Sequence, residues 1–228
     1  TMRKIYYTLT ALTLSLTSCN DLLDRMPDNR LVIDSPEKVQ QALTNAYPQI
    51  ATTLINEFSS DNIDDIGADN IYSNFLTRET AYWQPILEYN NVDGLQNIWD
   101  YHYKAIGQAN AALDAIETTL HNDASLNPAK GEALVARAYA HFCLVNLFSQ
   151  AYNPNTSSSD LGIPYMLHTE KELSPKYPRG TVAQVYDLID KDIQAGLPLI
   201  DDNYYETPKY HFNKRAANAF AARFYLYY

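Results

Sequence analysis

The chain has 228 residues, 46% of them apolar, with 27 acidic against 17 basic side chains and a formal charge of −10; this is enough for one sizeable domain or a helical repeat array. The acidic balance excludes a nucleic-acid partner, whose phosphates demand Lys and Arg clusters that this sequence lacks. Nineteen tyrosines supply rings that carry both an apolar body and a hydroxyl, suited to wet recognition surfaces as well as to cores.

Arg3 and Lys4 precede an apolar run from Ile5 to Leu16, and small residues then lead to Cys19, the layout of a secretory signal peptide over residues 1–18. The run is about a dozen residues, short of the roughly 20 that span a bilayer as a helix. Leu16-Thr17-Ser18-Cys19 resembles the lipobox of bacterial lipoproteins. That resemblance implies cleavage before Cys19, lipid attachment to its thiol, and an anchored, non-spanning chain. Cys143 then has no disulfide partner, so the core is expected to hold without a covalent staple. Residues 19–34 are acidic and aperiodic and read as a tether; acidic residues here resemble the surface-export signal of Bacteroidota lipoproteins.

Ser35, Pro36 and Glu37 predict a helix start by capping, preset φ and dipole complementarity. Val39, Leu43, Ala46 and Ile50 supply one apolar face, with a kink or break expected at Pro48. Between residues 59 and 97 periodicity fails while Asp, Asn and aromatics are dense, which predicts long ordered loops with one helical turn. Trp99, Tyr103, Ile106, Ala109, Leu113, Ile116 and Leu120 then mark an amphipathic helix. Asn127 as cap and Pro128 as first residue open the next, buried nearly all round and ending about Ser149. After an excursion over 150–178, a Thr181/Gln184 capping box starts a helix with stripe Val182, Val185, Ile189 and Ile193, stopped by Gly196 and Pro198. Asn213 opens a last helix with Ala216, Ala219, Phe220, Arg223, Phe224 and Leu226. The expectation is an all-α fold of tetratricopeptide-like hairpins with long inserted loops, filling 35–228. An unpaired terminal stripe further suggests the front part of a longer, C-terminally truncated chain.

Leu22-Leu23-Asp24 and Pro27 behind the lipobox, a helix ending near Tyr47, IWDYHYKAIGQANAALDAI, GEALVARAYAHFCLVNLFSQAY followed by LGIPYM, PRGTVAQVYDLIDKDIQAGLPLI, and KRAANAFAARFYLY together resemble the SusD/RagB family of outer-membrane nutrient-binding lipoproteins. The resemblance implies a SusD-like α-α superhelix that binds oligosaccharide, or peptide in the RagB branch. It also implies delivery of the nutrient to a SusC-like TonB-dependent transporter, with no cofactor and no chemistry on the ligand. A helical-repeat lipoprotein that only organises protein partners is the first rival reading, and an anchored hydrolase the second.

A sugar offers a CH face flanked by hydroxyls, so its receptor needs a flat aromatic ring beside planar hydrogen-bonding groups. Trp83 and Tyr89 are the candidate platforms, with Asn70, Arg78 and Asn90 as the polar partners; Trp83 either meets ligand or packs beneath the loops. Asp61, Asp64, Asp65 and Asp69 lack the alternating spacing and sixth-position glycine of a calcium loop, so no metal site is expected. His141 and Cys143, two apart on a helix, point in different directions and do not form a nucleophile and base pair.

Overall fold

Fourteen residues of one helix, between Ala129 and Val145, are buried because small and large apolar residues alternate around nearly its whole circumference, and the main core packs on that cylinder. The computed structural model describes residues 32–67, 74–86, 91–172 and 175–228. The leader, Cys19 and the loop residues Asp69, Asn70, Tyr89 and Asn90 lie outside them.

Seven α-helices occur among the described residues: α1 (Pro36–Thr44), α2 (Thr53–Phe58), α3 (Phe75–Ala81), α4 (Leu95–Asp114), α5 (Asn127–Phe148), α6 (Val182–Gly196) and α7 (Lys214–Tyr227). Among the described residues, extended pairing is confined to an isolated antiparallel bridge between Leu161 and Thr181. The all-α expectation therefore holds, with α4–α5 and α6–α7 as the two hairpins. Helix α5 sits between α4 and α6. Its core contacts include Ile106, Ala109 and Ile116 on one side and Val182, Val185, Ile189 and Ile193 on the other. Helices α5 and α6 approach so closely at Gly131 and Gly196 that a Cβ on Gly196 would stand 2.9 Å from the Gly131 carbonyl oxygen. Only glycine fits there, because the obstacle is backbone.

The helix starts follow the sequence signals in three of four cases. Ser35 caps Lys38 N–H, the Thr181/Gln184 capping box is complete, and Asn213 accepts from Ala216 N–H at 2.9 Å. Asn127 departs from expectation: it is already helical, behind a 3-10 turn over Ala124–Leu126 that Asp123 caps through Ser125 N–H. The preceding turn supplies the entry that a side-chain cap would otherwise provide.

Four further differences have local causes. Helix α1 ends at Thr44, one turn ahead of the break expected at Pro48, since the residue before a proline is pushed out of the helical region; Ala46 and Ile50 are still buried, from irregular backbone. Helix α2 was not anticipated: it is six residues long with Ile55 its buried anchor, too short for a periodic signal. The last turn of the Trp99-to-Leu120 helix is a π-helical segment over Ala115–Thr119. On α7 the buried stripe is Ala217, Phe220, Ala221 and Phe224, covered by aromatic contacts with Phe142 and Tyr186, while Ala219 and Arg223 face outward and Leu226 is 85% exposed.

One polar network crosses the core. Arg137 on α5 makes a two-pronged ion pair with Asp192 on α6, both contacts 2.7 Å. Its remaining donors reach Asn110 on α4 at 2.9 Å and the Leu167 carbonyl at 3.0 Å. Asn110 donates to the Met166 and His168 carbonyls, and the Tyr165 hydroxyl donates to Asp192 at 2.6 Å. Every group is satisfied by another, so three helices and the 164–168 segment are fixed in one register. His141 completes it: Met166 N–H donates to its Nε2 at 3.1 Å, and Nδ1 lies 2.8 Å from the Arg137 carbonyl. An imidazole that accepts at Nε2 and donates at Nδ1 is neutral, and burial pushes its pKa down to about 3.

Candidate functional site

A small second core places the site. Ile50, Ile55, Leu76 and Ile98 form a buried cluster with Leu147 and Phe148 against it, which fixes α2 and α3 to the end of the main bundle. Helix α3 begins with a complete Asn74/Thr77 capping box, Thr77 N–H donating to Asn74 Oδ1 at 2.8 Å. Between α2 and α3 lies a cleft of about 610 Å³, whose lining includes Asp61, Asp64, Asp65, Arg78, Tyr82 and Trp83.

The end of α3 decides how the cleft is furnished. Gln84 N–H donates to the Glu79 carbonyl at 2.8 Å and Trp83 N–H to the Thr80 carbonyl at 3.1 Å, the paired bonds of a Schellman C-cap. That cap needs its first residue past the helix in the left-handed region, where glycine is the usual occupant. Here the residue is Trp83, with φ of 54° and 79% of its surface exposed. A Cβ in that region costs roughly 1–2 kcal/mol, and burial of the ring returns little of it. A bulky residue held at positive φ with its side chain in water is the pattern of a position kept for its side chain.

The polar groups beside the indole are preset. Tyr82 donates its hydroxyl to Asp65 Oδ2 at 2.5 Å, and Asp65 Oδ1 accepts from Gly67 N–H at 2.7 Å. The Tyr82 hydroxyl, first, and the Gly67 amide then hold the Asp65 carboxyl below its ordinary pKa, and the same bond raises that of Tyr82. The Arg78 guanidinium stands 4.9 Å from the centroid of the Phe75 ring. An exposed indole, a guanidinium and ionised carboxylates around one cleft offer a stacking face together with planar donors and acceptors. That combination matches the CH faces and vicinal hydroxyls of a pyranose.

Of the residues singled out from sequence, Trp83 and Arg78 come together on this cleft. The choice left open for Trp83 resolves toward solvent. Asn70, Tyr89 and Asn90 lie outside the described residues. Sequence reasoning missed Tyr82 and considered Asp61, Asp64 and Asp65 only as metal ligands. The available signal was the order Ala81-Tyr82-Trp83-Gln84-Pro85: Pro85 just beyond a helix end with no glycine at the turn. Among the described residues no group of three His, Cys, Asp or Glu side chains could hold a metal ion. Cys143 is free, and burial pushes its thiol up to about 11.

The sequence matches a family model described as SusD-like, starch-binding associating with outer membrane, over residues 21–226. The chain belongs to that SusD-like family. No curated protein matched it. Among solved structures it is similar to a SusD superfamily protein from Bacteroides thetaiotaomicron at 23% identity and a TM-score of 0.63, covering 83% of this chain and 42% of that one. A SusD superfamily protein from Bacteroides fragilis matches at 23% identity and 0.66, covering 86% and 47%. A laminarin-binding SusD-like protein matches at 15% identity and 0.61, covering 85% and 40%. These likenesses establish the fold, and the chain spans less than half the length of each of the three. Among the described residues no helix is long and apolar enough to cross a membrane.

Proposed function

We propose that this chain is the glycan-capturing part of a lipid-anchored outer-membrane receptor that passes oligosaccharides to a SusC-like TonB-dependent transporter. The observation that carries the reading is Trp83: an exposed indole in a backbone conformation that disfavours it, set over a cleft that also presents Arg78, Tyr82 and Asp65. Family membership and the laminarin-binding neighbour support a carbohydrate as ligand. In this reading Trp83 stacks on a sugar ring, while Arg78 and Asp65 bridge its hydroxyls. Asn70, Tyr89 and Asn90, close by in sequence, are the further candidates for contact with the ligand. Residues 1–18 are removed, Cys19 carries the lipid, and 19–34 tether the helical domain. The fold does no chemistry on the glycan.

Isothermal titration of the intact chain with laminarin and with maltose-, cellulose-, xylan- and mannan-type hexasaccharides tests the binding, with Trp83→Ala as the site control. Binding of a neutral glycan, weakened at least tenfold by Trp83→Ala, is the expected result. Binding that Trp83→Ala leaves unchanged removes this site, and absence of all binding leaves the protein-scaffold reading. Mass spectrometry of the mature polypeptide tests the anchor: an unmodified amino terminus at Cys19 would sink it.

A further inference from the structure

A second groove, away from Trp83 in sequence and built on other elements, meets the same chemical requirements. It lies between α1 and the irregular segment that joins α6 to α7, has a volume of about 730 Å³, and is lined by Gln40, Gln41, Tyr205, Glu206, Thr207 and Tyr210 among others. Tyr210 is 80% exposed and makes no ring contact with another aromatic among the described residues, so its face is open. The side-chain amides of Gln40 and Gln41, the carboxylate of Glu206 and the hydroxyls of Thr207 and Tyr210 take no hydrogen bond from the described residues. One face is thus an unoccupied aromatic plane and the other a set of unoccupied planar and hydroxylic groups.

The floor is rigid. Tyr205 stacks on His211 with centroids 4.1 Å apart and planes 15° apart. His211 Nδ1 lies 2.8 Å from Oε1 of Glu132, and Glu132 itself is wholly buried on α5. The Tyr47 hydroxyl donates to the same carboxylate oxygen and accepts from Phe212 N–H at 2.7 Å. A buried carboxylate therefore locks the backbone just past α1 to the α6–α7 segment, and the groove between them is formed before any ligand arrives.

We infer that this groove is a second saccharide-binding site, selective for neutral glycans, with Tyr210 as its stacking platform and Gln40, Gln41 and Glu206 as partners for ring hydroxyls. Neutral selectivity follows from charge: Glu37 and Glu206 line the groove, no Lys or Arg does, and His211 is already committed to Glu132. An acidic sugar would meet like charge there with nothing to offset it. The inference shares its ligand class with the proposed function but rests on a separate set of residues.

The test is affinity electrophoresis of the intact chain in gels containing laminarin or the same four neutral hexasaccharide types, with polygalacturonate as the acidic comparison. Wild type, Trp83→Ala, Tyr210→Ala, Gln41→Ala and the Trp83/Tyr210 double variant are run in parallel. At least one neutral glycan should lose about tenfold in affinity with Tyr210→Ala, the scale of one lost ring platform. Gln41→Ala should weaken the same glycan, the double variant should be weaker than either single, and polygalacturonate should not retard the protein. Oxidative footprinting with that glycan should protect Tyr210, and thermal unfolding of Tyr210→Ala should match wild type because the ring is exposed. Retention unchanged by Tyr210→Ala but weakened by Trp83→Ala overturns this inference and leaves the proposed function standing. The opposite pattern supports the second site and removes Trp83 from the first. Preferential binding of polygalacturonate, or of no glycan at all, overturns it too.

Discussion

Replacing Trp83 by glycine and by alanine separates the two things that residue does. Both substitutions delete the same indole, so they lose the same contacts: about a fifth of the side chain is covered, roughly 40 Å² of the 150–250 Å² a large aromatic can bury, or about 1 kcal/mol at 25 cal/mol per Å². They differ in backbone. At φ of 54° alanine keeps the penalty of a Cβ in the left-handed region, about 1–2 kcal/mol, whereas glycine does not. Glycine in turn loses about 0.5–1 kcal/mol more chain entropy on folding. The net expectation is that Trp83→Gly is more stable than Trp83→Ala by about 0.5–1 kcal/mol and lies within about 1 kcal/mol of wild type. For a domain of this size that is a difference of about 1–4 °C in Tm. Urea unfolding monitored by circular dichroism, with thermal scans alongside, measures it, and both variants should lose glycan affinity equally. Alanine more stable than glycine, or either variant more than about 3 kcal/mol below wild type, would show that the indole packs under the loops and that the turn is not the strained cap described above.

Three further outcomes follow from the core. Arg137→Met leaves the Asp192 carboxylate buried and unpaired and should cost about 3–5 kcal/mol in urea unfolding; the Arg137→Met, Asp192→Leu double variant should cost less than that single, and equal or greater loss would refute the paired account. His141 is held neutral with its pKa depressed to about 3, against about 6.5 when unfolded. The unfolded chain therefore binds more protons between those values, so stability present above pH 6.5 falls as the pH is lowered. The slope is about 1.4 kcal/mol per pH unit from this residue, and buried His102 shifts in the same direction. His141→Gln should flatten the decline. Gly196→Ala drives a Cβ to 2.9 Å from the Gly131 carbonyl and should cost about 1–3 kcal/mol. Gly107→Ala on α4 meets nothing within 4 Å and should stabilise by up to about 1 kcal/mol.

Long periodic segments were legible because each carries its own redundant signal. The stripe Val182, Val185, Ile189 and Ile193 is fully buried as its spacing requires, and Thr181 and Asn213 cap as their chemistry requires. Helix α2 was not legible, because six residues with one buried anchor stay ordered only through a neighbour. On α7 the pattern predicted a helix but the wrong stripe. With alanines on several faces, the position of Phe142 and Tyr186 selects which side is covered.

The candidate cleft shows the same division. Its residue types are local information: an aromatic, acidic and amide-rich stretch without period pointed to Trp83 and Arg78. Their exposure and their company are not. Asp65 reaches Tyr82 across 17 residues of chain, and in the second groove Tyr47 and Phe212 meet over 165.

By itself the sequence determined the long helices, most of their caps, the leader pattern and the family likeness, since propensity, capping and periodicity act within a few residues along the chain. Which faces are buried, that Trp83 sits outward at a glycine-type turn, and how Arg137 and Glu132 draw distant segments together were decided by tertiary structure alone. Those outcomes depend on desolvation and backbone geometry between segments that no local pattern encodes.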